Sequence, residues 1–143
     1  RGFLIGVFVL CVMVLSSCTS TPPEAAIRAR IVSLQAAIDA RDAGALEDLL
    51  AEDFVGNDGI DRRGARQLAA GVFLRYRDVA AKLGPVAVRL GSDTDAIDRF
   101  TGLATAGSGG LLPEQGQVYE VETGWRYSDG EWRLRSSGWK LRL

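Results

Sequence analysis

Apolar residues are spaced in three different ways along the chain. From Phe3 to Leu15 they are continuous, broken only by Gly6. Between about residues 23 and 41, Ile27, Ile31, Leu34 and Ile38 recur at helical spacing. Thr21-Pro22-Pro23-Glu24 predicts the start of that helix, with Thr21 as N-cap and Glu24 in the capping-box position. Asp42 is the next cap, and Leu46, Leu49 and Leu50 mark a short second helix ending before Asp53-Phe54. Gly56-Asn57-Asp58-Gly59 is a turn cluster, after which Asp61 caps a third helix with Leu68, Ala69, Val72, Phe73 and Tyr76 on its apolar face. Past Leu83 the period falls to two: Val86, Val88 and Leu90 form one strand and Ala96 to Thr105 a second.

The last two strands are the most legible. With Asp129-Gly130 as a two-residue turn, Tyr127 faces Trp132 and Trp125 faces Leu134, so the large apolar side chains share one side. The phase of the final strand flips between Leu134 and Trp139, across Ser136-Ser137-Gly138, and a β-bulge there absorbs one extra residue. Beyond the skip Val121 faces Trp139, Tyr119 faces Leu141 and Glu120 faces Lys140. Such a bulge bends the sheet and leaves a concave apolar face for the helices to cover. Tyr119, Trp125, Tyr127, Trp132 and Trp139 belong to that face; Glu120, Glu122, Arg126, Arg133 and Arg135 belong to the other.

Composition removes several chemistries. The 143 residues carry 17 Lys plus Arg against 18 Asp plus Glu, a net charge of −1, and no histidine. Near-neutrality argues against a nucleic-acid binder. Without histidine there is no Ser-His-Asp or Cys-His site and no His-ligated metal, and no metal or other cofactor is expected. Arg62, Arg63, Arg66, Arg75 and Arg77 surround the third helix and read as its solvated face. Gly107-Ser108-Gly109-Gly110 lacks a following Gly-Lys-Ser/Thr and reads as a loop, not a phosphate cradle.

The run Phe3–Leu15 is shorter than the roughly 20 residues of a spanning helix and fits the apolar core of a secretory signal. It ends in Leu15-Ser16-Ser17-Cys18, which resembles the bacterial lipobox, whose cysteine is diacylated and becomes the mature N-terminus. The resemblance implies residues 1–17 as signal peptide, 18–23 as lipidated Cys18 and tether, and 24–143 as the folded domain. Several acyl chains make such an anchor effectively permanent. Thr19 stands where aspartate would resemble an inner-membrane retention signal, so the expected location is the outer membrane, facing the periplasm.

Three N-terminal helices before a bent antiparallel sheet, with Ile38-Asp39-Ala40-Arg41-Asp42-Ala43 leading into Leu49-Leu50-Ala51-Glu52-Asp53-Phe54, resemble the NTF2-like superfamily near its SnoaL-like and ketosteroid-isomerase-like branches. The resemblance implies an α+β cone, three helices packed on a curved, four-stranded, mainly antiparallel sheet, with a pocket between them. Matched to the ketosteroid isomerase pattern, Asp58 takes the place of the catalytic base, Leu34 that of a tyrosine donor and Thr123 that of a protonated aspartate. Leucine donates no hydrogen bond to an oxyanion, so the isomerase site is incomplete. The dehydratase branch needs a His-Asp arrangement, which a chain without histidine cannot supply. The expected pocket is lined by Phe54, Phe73, Tyr76, Thr123, Trp125 and Trp139, with Thr123 and Trp125 deepest. The expected function is an envelope lipoprotein domain that binds a small apolar molecule or a protein partner without chemistry. The alternative is a lyase or isomerase using Asp58 as base. Pairing of two copies through the convex sheet face is a further expectation of the resemblance.

Overall fold

The computed structural model describes residues 21–108 and 115–142. The apolar run and Cys18 lie outside these residues. Helix α1 (Pro23–Asp39) buries Ile27, Ile31 and Ala37. Its start differs from the sequence expectation: Pro22, not Thr21, is the N-cap, and no side chain caps it. Glu24 instead accepts from Arg28 one turn on, at 2.9 Å. The helix ends at Ala40, with Arg41 in the left-handed region. Asp42 then caps α2 (Ala43–Asp48), accepting from the Ala45 amide at 2.9 Å.

Two strands go beyond the expected four. Leu49 and Leu50 do not continue α2; strand β1 (Leu50–Val55) begins there and runs parallel to the last strand. After a 3₁₀ turn (Asn57–Gly59), Asp61 caps α3 (Arg62–Arg75), accepting from the Gly64 amide at 2.7 Å. Of the expected apolar face of α3, Phe73 is buried whereas Leu68 is exposed. Strand β2 (Asp78–Leu83) follows, then β3 (Ala87–Leu90), β4 (Asp95–Gly107), β5 (Gln115–Ser128) and β6 (Glu131–Leu141). Among the described residues the sheet is thus six-stranded, in the order β1-β6-β5-β4-β2, with β3 also paired to β4. Strands β2 and β3 pair successive stretches of β4, so together they form one interrupted edge broken at Gly84-Pro85. Proline has no amide proton to give a ladder, which accounts for the break.

The β5–β6 register agrees with the sequence: Tyr127 pairs with Trp132, Trp125 with Leu134, Val121 with Trp139, Glu120 with Lys140 and Tyr119 with Leu141. The extra residue is Arg135, because Trp125 pairs with Leu134 and Gly124 already with Ser136. That is one position before the Ser136-Ser137-Gly138 stretch expected to hold it. A side chain at Gly124 would meet the Ser136 hydroxyl, which would have to turn aside to admit it. The core gathers Ile27, Ile31, Leu50, Phe54, Ala96, Trp125, Trp132 and Leu134 between α1 and the concave face. Arg30 of α1 donates to the Trp132 carbonyl at 2.8 Å and fixes helix to sheet.

Candidate functional site

Alternation along the long strands builds the interior in cross-strand rows. At the closed end, Ala96, Trp125 and Leu134 lie side by side and buried. The next row is polar: Asp98 of β4, Thr123 of β5 and Ser137 of β6. Beyond it come Phe100, Val121 and Trp139, then Gly102, Tyr119 and Leu141. Helix α1 covers these outer rows with Ile31, Leu34, Gln35 and Ile38, and a cavity of about 270 Å³ remains between helix and sheet. Thr123 and Ser137 lie at its polar end, Tyr119 and Trp139 at its apolar end.

The polar row is a closed network on one side and open on the other. Asp98 is fully buried and Thr123 3% exposed. Thr123 Oγ1 donates to Asp98 Oδ1, Trp125 Nε1 donates to Asp98 Oδ2 at 2.9 Å, and the same indole N–H lies 3.1 Å from Thr123 Oγ1. Burial pushes the Asp98 carboxyl above its ordinary range, and the bonds from Thr123 and Trp125, with the charge of Arg28, draw it part of the way back. The Ser137 hydroxyl has no partner among the described residues. Gln35 spends one amide proton on the Ala81 carbonyl at 2.6 Å, holding the rim of α1 to β2.

The residues expected in the pocket divide. Thr123 and Trp139 line the cavity, Trp139 remaining 37% exposed at its mouth. Trp125, 1% exposed, is packed behind Thr123 and reaches the site only through its N–H. Phe54 and Phe73 are buried in the body of the protein, and neither is among the cavity residues; the Phe73 carbonyl accepts from Arg41. Tyr76 ends α3 beneath the Arg75 guanidinium, 5.5 Å from its ring centre. Tyr127 is 42% exposed and packs on Trp132, with ring centres 5.5 Å apart. Asp58, exposed and with positive φ, occupies the 3₁₀ turn and is not among the cavity residues. Its neighbour Asn57 is pinned to β6, giving 2.6 Å to the Trp139 carbonyl and taking 3.0 Å from the Trp139 amide.

Asp98, buried beside the cavity, is not among the residues that the sequence singles out. The signal was present, since Ala96, Asp98 and Phe100 share one phase of a strand and an aspartate on the apolar phase must find donors. On the opposite face the charges pair as expected of a solvated ladder: Glu120 with Lys140 at 3.3 Å and Glu122 with Arg99 at 2.6 Å. Arg126 and Arg133, expected on that same face, are engaged by Asp53 and Glu131. Among the described residues no three His, Cys, Asp or Glu side chains gather where a metal ion would bind.

This architecture is NTF2-like, also described as cystatin-like. It is similar to a provisionally assigned dehydratase of the NTF2-like family from Streptomyces avermitilis, at 16% identity and TM-score 0.71, over 82% of this chain and 95% of that one. An NTF2-like protein with a cystatin-like fold from Novosphingobium aromaticivorans matches at 21% identity and TM-score 0.65, over 81% and 79%. The type 2 hexachlorocyclohexane dehydrochlorinase LinA matches at 18% and 0.65, over 84% and 85%. No family model and no curated protein sequence matches the chain. At these identities the likeness is one of fold.

Proposed function

We propose that the chain is a lipid-anchored envelope protein whose NTF2-like domain holds a small, largely apolar molecule between α1 and the concave sheet, without turning it over. One observation carries this reading: among the described residues the cavity is lined by aliphatic and aromatic side chains with a few neutral polar groups, and by no carboxylate, amine or guanidinium. General acid–base catalysis needs a titratable group within hydrogen-bond reach of the substrate. Among the described residues the lining offers only the Tyr119 phenol, and Asp98 stands behind Thr123. The neighbours described as a provisionally assigned dehydratase and a dehydrochlorinase bring the alternative, a lyase or isomerase with Asp58 as base. The exposed position of Asp58 favours binding over that alternative.

Native mass spectrometry of the purified protein tests the reading. A molecule of single-ring size is expected to co-purify or to be taken up from a mixture of such compounds, and to be lost in Leu34→Trp, whose indole fills the cavity. Protein that takes up none of them, or a Leu34→Trp variant that binds undiminished, contradicts it. The anchor has a separate test: Cys18→Ser is expected to release the protein from the membrane fraction, and continued full partition into membranes speaks against lipidation.

A further inference from the structure

The polar end of the cavity has a direction. Thr123 has one proton to give and gives it to Asp98 Oδ1, while one of its lone pairs faces the Trp125 N–H at 3.1 Å. What Thr123 has left is a single lone pair, so toward a ligand it accepts and does not donate. Ser137, directly across the β5–β6 pair, has no partner among the described residues and can do either. The indole N–H can only donate, and with Asp98 ionised the row runs one way: Trp125 to Asp98, Thr123 to Asp98, and a ligand to Thr123.

From this geometry we infer that the cavity takes an uncharged alcohol or phenol of single-ring size, whose hydroxyl donates to Thr123 Oγ1 and accepts from Ser137, with its apolar body against Leu34, Val121 and Trp139. Size sets the first limit. A cavity of about 150 Å³ holds benzene, so about 270 Å³ takes one substituted ring and is too small for a four-ring steroid. Charge sets the second, because among the described residues the lining has no cation for a carboxylate or phosphate and Asp98 lies one side chain away. Hydrogen-bond polarity sets the third. A ketone of the same shape only accepts; it satisfies Ser137 but turns a lone pair toward the lone pair of Thr123, leaving a buried acceptor unmet.

This inference rests on the binding function proposed above, and calorimetric titration of the purified protein with cyclohexanol, cyclohexanone and methylcyclohexane separates the two. Cyclohexanol is expected to bind roughly tenfold or more tightly than cyclohexanone. In Asp98→Asn, Trp125 holds the amide oxygen in place, so the amide nitrogen donates to Thr123 and frees the Thr123 proton for the ligand. The variant is therefore expected to lose the preference for the alcohol or reverse it. Equal binding of all three by the unmodified protein, or tighter binding of the ketone, overturns the assignment while leaving an apolar cavity intact. No binding of any of the three overturns the cavity as a binding site as well. Should Asp98→Asn fail to fold, the order of affinities in the unmodified protein still decides.

Discussion

Asp98 loses its hydration on folding and recovers two side-chain donors, Thr123 Oγ1 and Trp125 Nε1. Its carboxyl nonetheless stays above the ordinary range, so burial outweighs both bonds. The consequence for stability has a definite sign. As pH rises from the ordinary carboxylate value through the raised native one, the unfolded chain gives up this proton first, and stability falls until both forms are ionised. Asp98→Asn is expected to abolish that fall, which urea unfolding midpoints measured from about pH 4 to about pH 7 will report. Asp53 works in the opposite sense and in a lower window: the hydrogen bond from Arg126 holds its carboxyl below the ordinary range, so what it contributes is lost as pH falls through that lowered value. A midpoint profile of Asp98→Asn that still declines over the upper window would mean that another group carries the effect.

At the scale of elements, one side chain ties the 3₁₀ turn to β6. Asn57 stands just beyond the end of β1 and pairs both backbone groups of Trp139, extending by its amide the ladder that β1 makes with β6. Asn57→Ala is expected to cost about 1–2 kcal/mol in chemical denaturation and to raise amide exchange at Trp139 while leaving the core slow. The elements that were legible in the sequence are those with local signals. Asp42 and Asp61 announce α2 and α3, and Asp129-Gly130 with its flanking aromatics fixes the register of β5 and β6. The bulge was legible as a phase flip, but residues 135–138 are all polar or small, so side-chain type alone could not say that Arg135 was the one skipped. Strand β1 was hidden because Leu46, Leu49 and Leu50 sit at helical spacing and its partner lies far along the chain, joined by no turn. Strand β2, Asp-Val-Ala-Ala-Lys-Leu, has too little alternation to declare itself and is held by β4. Thr123 could be placed inside by period two, and Asp98 obeys the same period; its charge hid it, because an aspartate reads as surface until its donors are seen.

For the whole molecule, curvature and coverage work together. The bulge at Arg135 keeps Ser137 and Trp139 on the face that carries Leu134, and α1 closes over that face without filling it. The space left is apolar along most of its walls, with Thr123 and Ser137 together at one end, which suits a small neutral molecule with one polar group. Backbone amide NMR of the protein titrated with cyclohexanol tests this most directly. Saturable shifts are expected at Leu34 and Ile38 of α1 and at Tyr119, Thr123, Ser137 and Trp139 of the sheet, with Glu120, Glu122 and Arg99 on the opposite face unmoved. Shifts that do not saturate, or that gather on the opposite face and spare α1, would contradict the account.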